Sequence, residues 1–177
     1  MSRFFPHTDY AEDQPMPYTI LTTHVLYRGF QTGAVVGHSF KLARSLFSKS
    51  TIMSKETILA STLRSTGVGA LTGTVLMVPG LYMRIRGRDE IEWKDRSWRL
   101  LENKSQMAVD DFSVVGTAVG TLAGARQVMA NQTFQSKVYK VAGGAGIGSI
   151  LGVVVYMGWW YGLKGGDHST TERSVDV

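Results

Sequence analysis

Cysteine is absent from these 177 residues. No disulfide, thiolate nucleophile or cysteine metal site is available, and redox chemistry says nothing about compartment. The net charge is +5, yet no run of Lys and Arg resembles one that tracks a phosphate backbone. That argues against nucleic acid as a partner; contact with anionic lipid headgroups accounts for the excess more simply. The first 17 residues carry Asp9, Glu12 and Asp13 against only Arg3. They lack the composition of a mitochondrial presequence and the early apolar core of a secretory signal, so targeting information is expected to be internal. No Ser/His/Asp set, carboxylate pair or phosphate loop stands out. His24 and His38 have no histidine partner at ligand spacing. Catalytic residues, metal and cofactor are therefore all expected to be none, and the chain reads as non-enzymatic.

What the chain has in excess is glycine, 20 residues, about 11% against a usual ~7%. The excess is ordered. Gly29, Gly33 and Gly37 stand four apart, as do Gly116, Gly120 and Gly124, and Gly144, Gly148 and Gly152. Ser61, Ser65, Gly69 and Gly73 continue the pattern with a small residue at every fourth place, and Gly158, Gly162 and Gly166 form one more triplet. Fewer than one such triplet is expected by chance at this composition. Residues four apart share one helix face, so each segment has a face without side chains over two turns. In water each interior glycine costs about 1 kcal/mol relative to alanine. In hydrocarbon the helix is enforced by its own backbone hydrogen bonds, and small residues let helix backbones touch where the hydrophobic effect no longer presses them together.

The glycine faces fall in four apolar segments, about 19–40, 57–83, 112–129 and 138–163. The second has 19 uncharged residues between Arg64 and Arg84, and the fourth is uncharged from Val141 to Leu163. Both meet the ~20-residue requirement for a span. The first and third are interrupted by Arg28 and Arg126, and need partner helices or snorkelling arginines. The expectation is an all-α integral membrane bundle of four glycine-zippered transmembrane helices at 19–163, between polar segments at 1–18 and 164–177. The loop 84–111 is polar and charge-balanced and holds Trp93 and Trp98. It reads as an exposed connection with a short helix, its tryptophans either at a membrane interface or partner surface, or packed on a solvated helix. Arg28, Arg64 and Arg126, with Trp159 and Trp160 late in the fourth segment, are candidate interface or lipid contacts. The packing positions are the glycine triplets of segments one, three and four, with Ser65, Gly69 and Gly73 in the second. Gln31, Thr72, Thr74, Thr117 and Thr121 give the helix faces only mild polarity.

The connection after segment one (Lys41, Arg44, Lys49, Lys55, Glu56) is net positive, and the one after segment three (Lys137, Lys140) has no acid. By charge these two loops face the positive-inside compartment. Four such spans with both termini on one side resemble the inner-membrane protein-import translocase family. That family also includes plastid solute channels and a small accessory subunit of mitochondrial respiratory complex I (NADH:ubiquinone oxidoreductase). The chain is most similar to the complex I branch, on Leu63-Arg64-Ser65-Thr66-Gly67, Gly124-Ala125-Arg126 and Tyr156-Met157-Gly158. It departs from the import members' Arg-x3-Asp pair: Lys104 stands for the arginine, Ala108 replaces the acid, and Asp110 and Asp111 are out of register. It also lacks the cysteines of the animal complex I subunit.

The resemblance implies a multi-pass protein of the mitochondrial inner membrane with termini in the intermembrane space. It implies a non-catalytic accessory subunit supporting the complex I membrane arm, with its other subunits and membrane lipids as partners. A translocase or channel subunit is the alternative.

Overall fold

The computed structural model describes residues 4–47, 55–128 and 132–163, side chains at 55 and 56 excepted. The described residues are all-helical, with no strand. Helix α1 is Pro17–Phe47, α2 is Lys55–Ile85, α3 is Glu90–Glu102, α4 is Lys104–Arg126 and α5 is Phe134–Met157. A π-helical turn, Gly158–Leu163, extends α5. Among the described residues two helices, over Thr57–Ile85 and Phe134–Leu163, and not the expected four, are long and apolar enough to cross a membrane.

The boundaries follow local chemistry. Pro17 opens α1, a position where its missing N–H costs nothing. The Asn103 side chain accepts a hydrogen bond from the Gln106 amide, and Thr133 does the same for Ser136, capping α4 and α5. The Asn103 cap starts α4 eight residues before the expected 112. The polar stretch 104–111 is thus two helical turns, not loop. The helix ends at Arg126; residues 129–131, the expected end of segment three, lie outside the described residues, as does the tail 164–177. Pro79 lies inside α2 without ending it.

Four long helices form two antiparallel pairs, α1–α2 and α4–α5, joined chiefly where α2 packs on α5. Helix α3 lies over the start of α1, and the N-terminal segment with its 3-10 turn, Ala11–Asp13, lies over α3. In this cap Gln14 is buried and donates to the Pro6 and Pro15 carbonyls. Of the two readings for the tryptophans, the cap has the packed one. Trp93 is 4% exposed, with its ring against Tyr18. Trp98 donates from Nε1 to the Thr8 carbonyl at 2.8 Å and meets His7 edge-on. Helix α3 carries the i,i+4 ion pairs Lys94–Glu90 and Arg99–Asp95, and Arg88, just before it, pairs with Glu92. The hydrogen bond from Arg88 holds the Glu92 carboxyl below its usual range.

The long helices are packed inside out relative to a water-soluble bundle. Their buried positions are mostly glycine, Ala34, Ala70 and Ala145 with Gln31, Thr66, Asp110, Ser113 and Ser149, and the few large apolar ones are Ile20, Leu63 and Tyr156. Large apolar side chains point outward on all four, including Val36 and Phe40 on α1, Val75 and Leu76 on α2, Val119 and Leu122 on α4, and Leu151 and Val154 on α5.

Candidate functional site between the helix pairs

Two kinds of contact hold the helices together, and the first is backbone on backbone. A Cβ on Gly33 would run into the Gly69 carbonyl, and one on Gly69 into the Gly33 carbonyl. Gly29 faces Gly73 and Met77, and Gly37 faces the Ser65 carbonyl and Gly69, to which Ser65 adds a 2.9 Å hydroxyl bond onto the Gly37 carbonyl. The second seam repeats this: Gly116 meets Gly148 and Gly152, Gly120 meets Gly144 and Gly148, and Gly124 meets Lys140 and Gly144. The glycine faces are therefore engaged with each other, segment one with two and three with four. A third approach, missed in the sequence, joins the pairs: Gly67 lies on the Tyr139 carbonyl and Gly143 on the Leu63 carbonyl. These are single positions without a four-residue period, so no pattern announced them. Gly158 and Gly162 meet nothing within 4 Å, so that last triplet is no zipper; Gly166 lies outside the described residues.

The second kind of contact is polar. Helices α1 and α4 barely approach at the backbone, and side chains bridge the gap. Asp110 on α4 is 2% exposed and ion-paired with Arg28 on α1. Its Oδ1 also accepts from Gln106 at 3.1 Å, and its Oδ2 lies 3.4 Å from His24 Nδ1. Arg28 donates onward to Gln31 Oε1 at 2.7 Å, and Gln31 Nε2 donates to Ser149 Oγ at 2.8 Å, midway along α5. The Tyr27 hydroxyl sits 2.9 Å from Thr117 Oγ1 and 3.1 Å from Ser113 Oγ. One connected set of side chains thus ties α1, α4 and α5.

A buried carboxylate is costly unless paired and hydrogen-bonded. Here both Asp110 oxygens have partners on two helices, and Ser113 and Thr117 donate to backbone carbonyls within α4. His24 faces the Asp110 carboxylate, whereas the Ser113 hydroxyl is turned to the Asp110 carbonyl. The arrangement can bind helices together and fix their register. Arg28, a third exposed, links α1 to α4 by its pair with Asp110.

Of the other arginines, Arg64 is exposed at the mouth of a groove along the α1–α2 seam, and Arg126 is the last residue of α4. Trp159 stacks on Phe112 and Trp160 on Tyr156, a cluster of rings at one end of α4 and α5. The polar set had a visible signal: His24, Arg28 and Gln31 on one face of α1, and Gln106, Asp110, Ser113 and Thr117 on one face of α4.

No curated protein and no solved structure matches this chain. One family model, described as "Protein of unknown function (DUF1757)", matches residues 4–157. That match runs from the N-terminal cap to the end of α5 and includes every residue of both glycine seams and of the polar bridge, so the chain belongs to this family.

Proposed function

We propose that the chain is a four-span integral membrane protein of the mitochondrial inner membrane, with a structural and not a catalytic role. Its place is as an accessory subunit bracing the membrane arm of respiratory complex I. The supporting observation is the inside-out packing. Glycines, alanines and polar side chains make up most of the interior of α1, α2, α4 and α5, beside Ile20, Leu63 and Tyr156, while large apolar side chains face outward from all four. In water that exposed apolar surface would be a severe liability; in lipid it is the expected face. Helices α1 and α4 fall short in hydropathy because polar residues interrupt them, His24, Arg28, Gln31 and His38 on α1 and Asp110 and Asp111 on α4, and the Arg28 and Asp110 charges pair with each other. Charge then orients the bundle, with the basic ends of α1 and α5 in the matrix and both termini in the intermembrane space. The complex I assignment draws on the family resemblance in the sequence, and the fully partnered polar bridge suits a brace.

A second reading, a subunit of an inner-membrane translocase or channel, draws on the polar faces of α1 and α4 reaching the middle of α5. Native-gel separation of solubilised mitochondrial membranes, with mass spectrometry of each band, separates the two. Comigration with complex I subunits and loss of NADH oxidation on deletion are expected. Comigration with import machinery, or lost precursor import with complex I intact, would overturn the preferred reading.

A further inference from the structure

The two ends of the bundle differ in how their charges are used. At the capped end, acids stand among the cations and several are paired: Arg28 with Asp110, Arg88 with Glu92, Lys94 with Glu90, Arg99 with Asp95, while Arg84, Arg86, Arg96 and Lys104 make no ion pair among the described residues. At the other end, where α1 and α4 finish and α2 begins, Lys41, Arg44, Arg64 and Arg126 make no ion pair among the described residues. The only acid in the sequence from Lys41 to Lys140 on that side is Glu56.

An apolar groove of about 660 Å³ runs along the α1–α2 seam toward this basic end. Its floor is the glycine zipper. Val36, Phe40, Val68 and Leu76 stand along it, and Arg64 is the one charged residue lining it. At ~1.5 Å per residue it covers about 16 Å along α1, from Gly29 to Phe40, and about 24 Å along α2, from Ser61 to Met77, so it runs from the basic end through at least half of the ~30 Å hydrocarbon thickness. Dividing volume by these lengths gives a cross-section of roughly 30–40 Å², half or less of that of a helix ~10 Å across.

We propose that this groove seats an acyl chain of an anionic phospholipid whose phosphate pairs with Arg64. The inference rests on the membrane reading above. A lipid of the adjoining leaflet has its phosphate at the interface and its tail directed toward the midplane, as the groove has Arg64 at its mouth and Gly29 at its inner end. The tail replaces contacts that the glycines cannot make with one another on their outer side. The headgroup supplies a counter-charge for Arg64.

The test uses the full chain reconstituted in phosphatidylcholine vesicles with and without phosphatidylglycerol, then released into neutral detergent for native mass spectrometry of retained lipid. Phosphatidylglycerol should be retained over phosphatidylcholine. Arg64→Gln should lower retention of the anionic lipid about fivefold and leave the neutral lipid unchanged, whereas Val68→Trp, which fills the groove, should lower both. Equal retention of the two lipids, or no response to either variant, overturns the proposal. If Val68→Trp loses helicity, Val36→Trp on the facing wall takes its place. A photoreactive residue at Val36 in native membranes should crosslink to lipid; a protein product would give the groove to a partner helix and overturn the proposal. Carbonate extraction of the same vesicles separates the failures: release of the wild-type chain contradicts the membrane reading, and retention without lipid adducts contradicts only the lipid site.

Discussion

The α1–α2 and α4–α5 seams and the α1–α4 gap solve one problem in opposite ways. At the seams, side chains have been removed until backbones touch, and adhesion comes from close packing along antiparallel zippers. Across the gap the backbones stay apart, and side chains of opposite charge and matched hydrogen-bonding capacity reach over. The seams join helices that are neighbours in sequence, so each pair can form as one hairpin. The gap joins residues 82 positions apart, Arg28 and Asp110, one from each hairpin. Generic adhesion therefore resides in glycine, and the specificity of which pair meets which resides in the polar bridge, with Gly67 and Gly143 setting the close approach on the α2–α5 side.

That division can be broken most severely at the seams. Gly33→Leu or Gly69→Leu places a side chain where the opposite carbonyl stands. Each should cost about 3 kcal/mol or more, at or beyond the upper end of overpacking effects, measured as lost resistance to denaturant in mixed micelles. Gly80→Ala and Gly158→Ala, with nothing within 4 Å, should cost nothing. Equal losses at all four positions would mean that the spacing has no packing role.

The bridge comes next. Asp110→Leu alone leaves Arg28 without its counter-charge and should cost about 3 kcal/mol, the low end for a buried pair because Arg28 is a third exposed. The double variant with Arg28→Leu should recover most of that loss, and a double-mutant cycle reads the coupling. Simple additivity of the two losses would show that the residues do not act as a pair. Tyr27→Phe removes one hydroxyl from the set and should cost about 1 kcal/mol.

The cap should respond least. Trp98→Phe removes the bond to the Thr8 carbonyl and should speed proteolytic nicking before Pro17 while leaving the helical bundle intact. Arg88→Gln should return the Glu92 pKa toward the ordinary ~4.3, read by NMR titration. Because that carboxyl is held below its usual range, the pair's small stabilisation is present above the ordinary glutamate pKa. It is lost as pH falls through the lowered one.

The seams were legible because a four-residue period is a local property, visible inside one window of sequence. Their pairing was not, since any two bare faces could meet. The partner of Asp110 was hidden for a related reason. Asp110 is out of register with Lys104 on its own helix, and the arginine that serves it is on α1. The start of α4 was hidden by the same polarity. Gln106 and Asp110 make 104–111 look like loop, but they are polar because they face the bridge. The tryptophans of α3 carried two readings because amphipathic rings suit both an interface and a cap, and only the position of Tyr18 and Thr8 decides between them.

The central claim is that all four long helices, including the two with modest hydropathy, turn their apolar faces to lipid. Because the chain has no cysteine, single cysteines at Val36, Val75, Val119 and Val154 can carry spin labels in reconstituted vesicles. Oxygen should reach all four labels more readily than a water-soluble nickel complex. Labels at Val36 or Val119 that relax with nickel, beside lipid-exposed labels at Val75 and Val154, would leave two spans and contradict the account.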